Sequence, residues 1–406
     1  MKGAVVEIAP GGKIVDTLIE HVLQLVEQAS PDRGARKRRC IISSFTLPQF
    51  YNPFPSRLSP ELMTATDESL RWAQEMELVA SPSAQERFES ALYGEFAART
   101  YPDAPTDRLV VAAKWCAWLF LFDDHFDDCY LGRSKVDAET VLPNLLRCLA
   151  SPEIEPLVPG NPLEAALLDL WPQTATRMSP SWRGRFKRHM HDYLMSYFWE
   201  ISNRSRRHTP DLVMYIDMRR DTGATWIGFD LIPYTEGLEV PTRLNDSLLL
   251  RTMELAAIDV ICISNDILSH EKEMARGEVN NIVHVAQQLT GGEIQQSVDL
   301  VNAIQNSRIR LFLDHKEQVP AWLEESQASP ATRQAVERYI VGLESWIRGN
   351  LDWSLRTARY LNVEYAPGHG DRVSWAENLS GVTDDALRAP VEDRKPAGLG
   401  WGAATS

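Results

Sequence analysis

The chain lacks any apolar run long enough to cross a bilayer. Its longest, WCAWLFLF at residues 115–122, has eight residues, where a spanning helix needs about 20. The first residues, MKGAVVEIAPGGK, hold no sustained apolar stretch and no cleavage-like end, so no secretory signal is expected. Cysteine is scarce and scattered. Cys40, Cys116, Cys129, Cys148 and Cys262 are five, an odd number, with no CxxC pair and no Cys/His spacing of a zinc site. They read as free thiols in a reducing, cytoplasmic compartment. A basic surplus is missing too. Lys and Arg number 42 against 56 Asp and Glu, for a formal net charge of −14. That argues against a general nucleic-acid binder, whose affinity begins with surplus cations. Runs of alternating β-branched residues are few, so little predicts a sheet.

What is present is helical periodicity. From about Pro60 to Tyr360 the pattern is helical nearly throughout, and glycine and proline fall mostly between segments. The stretches 107–128, 185–204 and 248–274 each exceed four turns. No internal repeat is visible. The prediction is one all-α domain over residues 45–365. Residues 1–44 read as an extension: Ile14, Leu18, Val22, Leu25 and Val26 have the spacing of a short amphipathic helix, and SPDRGARKRR follows as a basic linker. FTLPQFYNPFPSRLSP, at 45–60, carries four prolines and is expected to run along a surface without regular structure. Residues 366–406, rich in glycine and proline, are expected to be a loose tail.

Two polar clusters interrupt apolar helices. In DDHFDD, Asp123 and Asp127 are four residues apart and share one helical face, with Asp124 and Asp128 in the next row. Such a cluster is a solvated helix end, an acid–base pair or a divalent-metal site. Its position directly after Trp115, Trp118, Phe120 and Phe122 fits the first poorly, because uncompensated carboxylates at a buried mouth raise one another's pKa. In NDILSHEKE, Asn265, Ser269 and Glu273 are spaced i, i+4, i+8 and offer an amide oxygen, a hydroxyl and a carboxylate from one face. That is a donor row for a hard cation such as Mg²⁺. Lys272 lies next to Glu273, placed to meet an anion bound to the metal. His189 and His191, two apart, have the wrong spacing for one helical face and are not read as ligands.

Together these strings resemble the two metal motifs of the class I terpene synthases, and the 142 residues between Asp123 and Asn265 suit that family. RRDTGA resembles the family's diphosphate-sensing segment, with Arg219, 46 residues before Asn265, as sensor, Thr222 as linker and Gly223 as effector. The linker is Thr where Asp is frequent, so its bond to the sensor would use a hydroxyl. NLDWSLRTARY resembles the family's late Arg-Tyr pair, giving Arg359 and Tyr360, and Trp353 matches a frequent aromatic. WEISNR, at 199–204, is similar to the segment that precedes the sensor helix. The look is that of microbial, especially fungal, sesquiterpene cyclases.

The resemblance implies a helical bundle around a central active-site cavity, and an enzyme that ionises farnesyl diphosphate and cyclises the cation with three Mg²⁺ ions. Asp123, with Asp127 or Asp128 as distal ligand, would serve one wall, and Asn265, Ser269 and Glu273 the opposite wall. Arg219, Lys272, Arg359 and Tyr360 would bind the diphosphate. Phe120, one turn before Asp123, with Trp226 and Trp353, would line the cavity. The expected partner is a small prenyl diphosphate, with no nucleic acid and no integral membrane segment, and the enzyme would be a monomer or homodimer. Cyclisation of geranyl or geranylgeranyl diphosphate, chain elongation on the same fold, and a non-catalytic helical binding protein are the competing readings.

Overall fold

The computed structural model describes residues 44–128, 134–149 and 157–361. The regular elements among them are helices, as the periodicity requires. Leu62–Glu75 (α1), Pro82–Ala91 (α2), Tyr93–Thr100 (α3), Thr106–Asp128 (α4), Lys135–Cys148 (α5), Pro162–Ala175 (α6) and Pro180–Arg206 (α7) come first. Leu212–Thr222 (α8), Thr225–Glu236 (α9), Thr242–Asn245 (α10), Leu248–Ala275 (α11) and Ile282–Thr290 (α12) follow. Ile294–Glu325 (α13), Pro330–Ser354 (α14) and Ala358–Leu361 (α15) complete the set. The predicted helix at 14–28, the basic linker, the C-terminal tail, Cys40 and Cys129 lie outside the described residues.

Local sequence sets several helix starts. Ser81, Asn161 and Ser329 each precede a proline in the first turn and accept the backbone N–H of Ala84, Glu164 and Thr332 at 3.1, 2.9 and 3.2 Å. The side-chain oxygen satisfies one orphan donor, and the proline forfeits an N–H that had no partner.

The helices fall into two compact units interleaved in sequence. The first holds Leu58–Arg206 and Trp226–Leu238. In it α4 packs on α1, α3 and α6, and α7 packs on α5. The apolar run of α4 is core: Trp115, Trp118, Phe122 and Phe126 are buried, with Trp118 stacked on Phe122 at 5.3 Å and Phe126 4.4 Å from Tyr197 of α7. Both buried indole N–H groups find acceptors, Trp115 at Thr174 Oγ1 (2.8 Å) and Trp118 at the Leu163 carbonyl (3.1 Å), as burial of a polar edge demands.

The second unit holds residues 44–57, Arg207–Thr225 and residues 239–361. Its hub is α11, which packs against α8, α12, α13, α14 and α15. Residues 47–57 form no helix and run as a strap. Phe45 and Phe54 are buried, Phe54 edge-on to Phe312, while Ser44 bonds Glu271 (2.7 and 2.6 Å) and Asn52 bonds the Ile347 carbonyl (3.2 Å). Side-chain anchors of this kind replace the backbone ladder that the prolines forbid.

Candidate active site

In the first unit, α4 carries the acidic cluster on its last turns. Asp123 is half-buried and accepts the Tyr197 hydroxyl at 3.0 Å, and that hydroxyl also meets Tyr193 at 2.9 Å. Asp124 behaves differently. It is 1% exposed and lies 3.3 Å from Arg87 of α2, itself buried. One of the four aspartates is thus a core ion pair. Breaking such a pair leaves a buried charge uncompensated, at a cost of about 3 kcal/mol or more. Asp124→Asn should therefore lower stability by about that amount in urea denaturation, while Asp123→Asn should shift it by about 1 kcal/mol or less. The side chains of Asp127 and Asp128 lie outside the described residues. Among the described residues no three His, Cys, Asp or Glu side chains converge as a metal cluster.

Two expected wall aromatics belong to this unit. Phe120 is half-buried, stacked on Tyr93 at 5.1 Å and edge-on to Phe96 at 5.3 Å. Trp226 is buried and stacks on His189 at 5.2 Å. His189 Nδ1 is 2.7 Å from Asp230, which also pairs with Arg185 at 2.7 Å. Burial opposes the charge of Asp230, but His189 and Arg185 outweigh it and hold its pKa below the usual carboxylate range. The histidine is a structural partner, and the Trp226 ring is engaged in this packing.

In the second unit the sensor segment closes α8. Arg219 and Thr222 sit on its last turn, Gly223 caps it, and α9 starts at Thr225. The helix is interrupted here, though the left-handed residue is Ala224 (φ 53°), while Gly223 has ordinary helical angles (φ −80°, ψ −1°). Glycine is needed for space. A Cβ at 223 would stand 2.8 Å from Cys262 Sγ and 3.1 Å from Arg219 Nη1. Burial pushes the Cys262 thiol up to about 11, so at neutral pH it is a neutral packing group. The Gly223 carbonyl accepts the Thr225 hydroxyl at 3.3 Å. Gly223→Ala should cost about 1–3 kcal/mol by overpacking and displace Arg219. In a thermal melt, adding Cys262→Ala should recover part of the loss.

Arg219 spreads its fork over three partners. Nε donates to Asp266 at 3.0 Å, Nη2 to Asn265 Oδ1 at 3.1 Å and Nη1 to Thr222 Oγ1 at 3.4 Å. Asn265 in turn donates its amide N–H to the Tyr360 oxygen at 2.6 Å. Sensor, linker, first donor of the row and late tyrosine therefore form one hydrogen-bonded chain within the unit. Burial works against the guanidinium charge, but Asp266 outweighs it and holds the pKa well above normal.

Asn265, Ser269 and Glu273 follow on α11. Ser269 is 2% exposed, and its Oγ is buried without a hydrogen bond. Glu273 is pushed up to about 7, first by desolvation and then by Asp266, with the Asn281 amide opposing at 2.8 Å. The Ser269 hydroxyl, facing Glu273, also holds the Glu273 value down. A buried oxygen without a bond, beside a carboxylate whose charge is disfavoured, fits a hard divalent cation. Its charge would compensate Glu273 and its coordination would satisfy Ser269. Lys272 is half-buried on the same helix. Arg359 is 3% exposed, Tyr360 is half-buried, and Trp353 has no accessible surface, packing edge-on to Tyr360 at 5.8 Å. In this structure Trp353 is core packing against the tyrosine ring.

Two residues went unread in the sequence. Asp266, buried, accepts from Arg219, from the Tyr215 hydroxyl at 2.6 Å and from the Ile282 N–H at 3.1 Å. Asn281 caps α12, accepting from Val283 N–H at 2.9 Å, and donates to both Glu273 and the Asp266 carbonyl at 2.8 Å. One signal for Asp266 was available: a charged residue inside an apolar helical stretch needs a buried partner.

The family model described as terpene synthase family 2, C-terminal metal binding, matches residues 114–310. A (+)-T-muurolol synthase of Roseiflexus castenholzii, described as (2E,6E)-farnesyl diphosphate cyclizing, is 33% identical over 319 residues, 78% of this chain and 93% of its own. A pentalenene synthase of Streptomyces avermitilis is also 33% identical, over 78% of this chain and 94% of its own. Among solved structures, an a-eudesmol synthase gives a TM-score of 0.69 at 29% identity, over 76% of this chain and 98% of that one. A germacradien-4-ol synthase from Streptomyces citricolor gives 0.67 at 28%, over 75% and 97%. The chain belongs to the terpene synthase family and is a divalent-metal-using enzyme of the class I type. Both curated relatives come from bacteria, so the fungal shading of the expected resemblance has no support among them.

Proposed function

We propose that this protein is a Mg²⁺-dependent sesquiterpene cyclase. It ionises farnesyl diphosphate, closes the fifteen-carbon cation, and releases diphosphate together with a cyclic product formed by loss of a proton (a hydrocarbon) or by capture of water and loss of a proton (an alcohol). The observation that carries this reading is the donor row of Asn265, Ser269 and Glu273, with its unbonded buried hydroxyl, joined through Asn265 to Arg219 and Tyr360. A relative described as cyclising farnesyl diphosphate supports the substrate.

Asp123, Asp127 or Asp128, and the Asn265 row would hold three Mg²⁺ ions, whose chemistry is to neutralise the departing diphosphate. The protein's own groups do the rest. Asp266 anchors the Nε edge of Arg219, while Nη1 and Nη2 rest on neutral oxygens of Thr222 and Asn265. A diphosphate offers charged acceptors, which make stronger bonds than neutral ones and so draw these two donors away. Lys272, Arg359 and Tyr360 add donors, and the Gly223 carbonyl, which accepts from Thr225, would be the backbone group offered to developing positive charge. Phe120 presents a π face suited to stabilising that charge. Trp226 and Trp353 back the wall. The enzyme works in the cytoplasm, as a monomer or homodimer.

Purified protein given farnesyl diphosphate and Mg²⁺ should release a cyclic volatile in headspace gas chromatography, and EDTA should abolish it. Longer diphosphates on addition of isopentenyl diphosphate would mean elongation instead. Product from geranyl or geranylgeranyl diphosphate alone would change the chain length. No product from any of the three would leave a binding protein.

A further inference from the structure

Asp259 is a buried carboxylate, 3% exposed, in the apolar stretch AAIDVICIS of α11. Arg220, next to the sensor on α8, grips it with both arms: Nε to Oδ1 at 2.7 Å and Nη2 to Oδ2 at 2.9 Å. Arg308 of α13 meets Oδ2 from the other side, Nε at 3.0 Å. Burial opposes the charge of Arg220, and the bond and charge of Asp259 outweigh it.

Asp259 and Asp266 are seven residues apart. Two helical turns place them on one face of α11, separated by about 10 Å along its axis. Arg219 takes Asp266 and Arg220 takes Asp259. Adjacent residues project about 100° apart around a helix, so the two guanidinium groups leave α8 in different directions and end two turns apart on its neighbour. Arg219 and Tyr215 hold α8 at Asp266, and the Arg220–Asp259 pair adds a second anchor two turns away on the same neighbour. A small cavity of about 10 Å³ lies among Arg219, Arg220, Asp259 and Asp266, at the lower limit for one water.

We propose that Arg220 and Asp259, braced by Arg308, form a second clamp that positions the sensor helix, and that Arg220 thereby sets the diphosphate affinity of Arg219. Arg220 is a positioning residue in this account, which rests on the reading of Arg219 as the diphosphate sensor.

The test compares two arginines that share one carboxylate. Arg220→Gln and Arg308→Gln each remove one close ion pair from Asp259 and leave it the other, so its buried charge stays compensated in both. Only Arg220 lies on the sensor helix. Arg220→Gln should weaken binding of inorganic pyrophosphate in the presence of Mg²⁺ by about tenfold or more, and lower kcat/KM for farnesyl diphosphate by a similar factor, the size usual for groups supporting a ligand-contacting residue. Arg308→Gln should change both by less than about threefold while lowering the melting temperature comparably. Arg220→Lys should recover only part of the loss, because it lacks the two-armed fork. Equal effects of the two glutamine variants on pyrophosphate binding, or none from Arg220→Gln, would overturn the clamp and leave the proposed function intact. Wild-type protein that neither binds pyrophosphate nor consumes a prenyl diphosphate would overturn both.

Discussion

Asn265→Leu should turn over farnesyl diphosphate at less than roughly one thousandth of the parent rate, the scale on which removal of a transition-state-stabilising group is felt. The residue combines two duties in the proposed mechanism. Its amide oxygen is the first donor of the metal row, and its two amide ends join Arg219 Nη2 to the Tyr360 oxygen. Leucine keeps the branch at Cγ, is bulkier, and offers neither end. The fold should hold, because Asn265 is half-buried and Arg219 keeps its Nε bond to Asp266. A lost hydrogen bond of this kind costs about 1 kcal/mol. Gas chromatography of product and a thermal melt of the same preparation separate the two effects. A variant that melts normally and still makes product at the parent rate would remove Asn265 from the chemistry.

The largest stability loss should come from Asp266→Leu, at about 3–5 kcal/mol, the range for stripping one partner from a buried ion pair. Three donors depend on that carboxylate: the Arg219 guanidinium, the Tyr215 hydroxyl and the Ile282 N–H. They lie on α8 and at the start of α12, so the residue pins two elements to α11 at once. Burial and then Asp266 hold the Tyr215 pKa well above normal, so the phenol remains a donor across the useful pH range. Asp266→Asn keeps an acceptor oxygen and should lose less, about 1–3 kcal/mol. Equilibrium urea denaturation gives both values directly. Equal midpoints for Asp266→Leu and the parent would mean that the three bonds contribute nothing net.

Helix content was legible because burial writes its period into the chain. The stretches expected at 107–128, 185–204 and 248–274 lie inside α4, α7 and α11. RRDTGA marked Gly223 as a residue of interest through the resemblance, but the reason a glycine stands there was not legible. A close approach between Gly223 and Cys262 joins residues 39 apart in sequence, and only packing brings them together. The same limit hid the partner of Asp124, since nothing local marks Arg87 as its counter-ion. Periodicity did hold a clue that was passed over. Asp259 and Asp266 share a face of an apolar helix, where a charge persists only if paired. The aromatics show the converse. Spacing put forward Phe120 and Trp226, and the family resemblance Trp353, yet Trp353 has no accessible surface and Trp226 is stacked on His189.

The most direct test is a crystal soaked in Mn²⁺ and inorganic pyrophosphate, with diffraction recorded at the manganese edge. The account predicts an anomalous peak in contact with Asn265 Oδ1, Ser269 Oγ and the Glu273 carboxylate, and pyrophosphate oxygens on Arg219 Nη1 and Nη2. Bound pyrophosphate with no manganese on those three oxygens would contradict it.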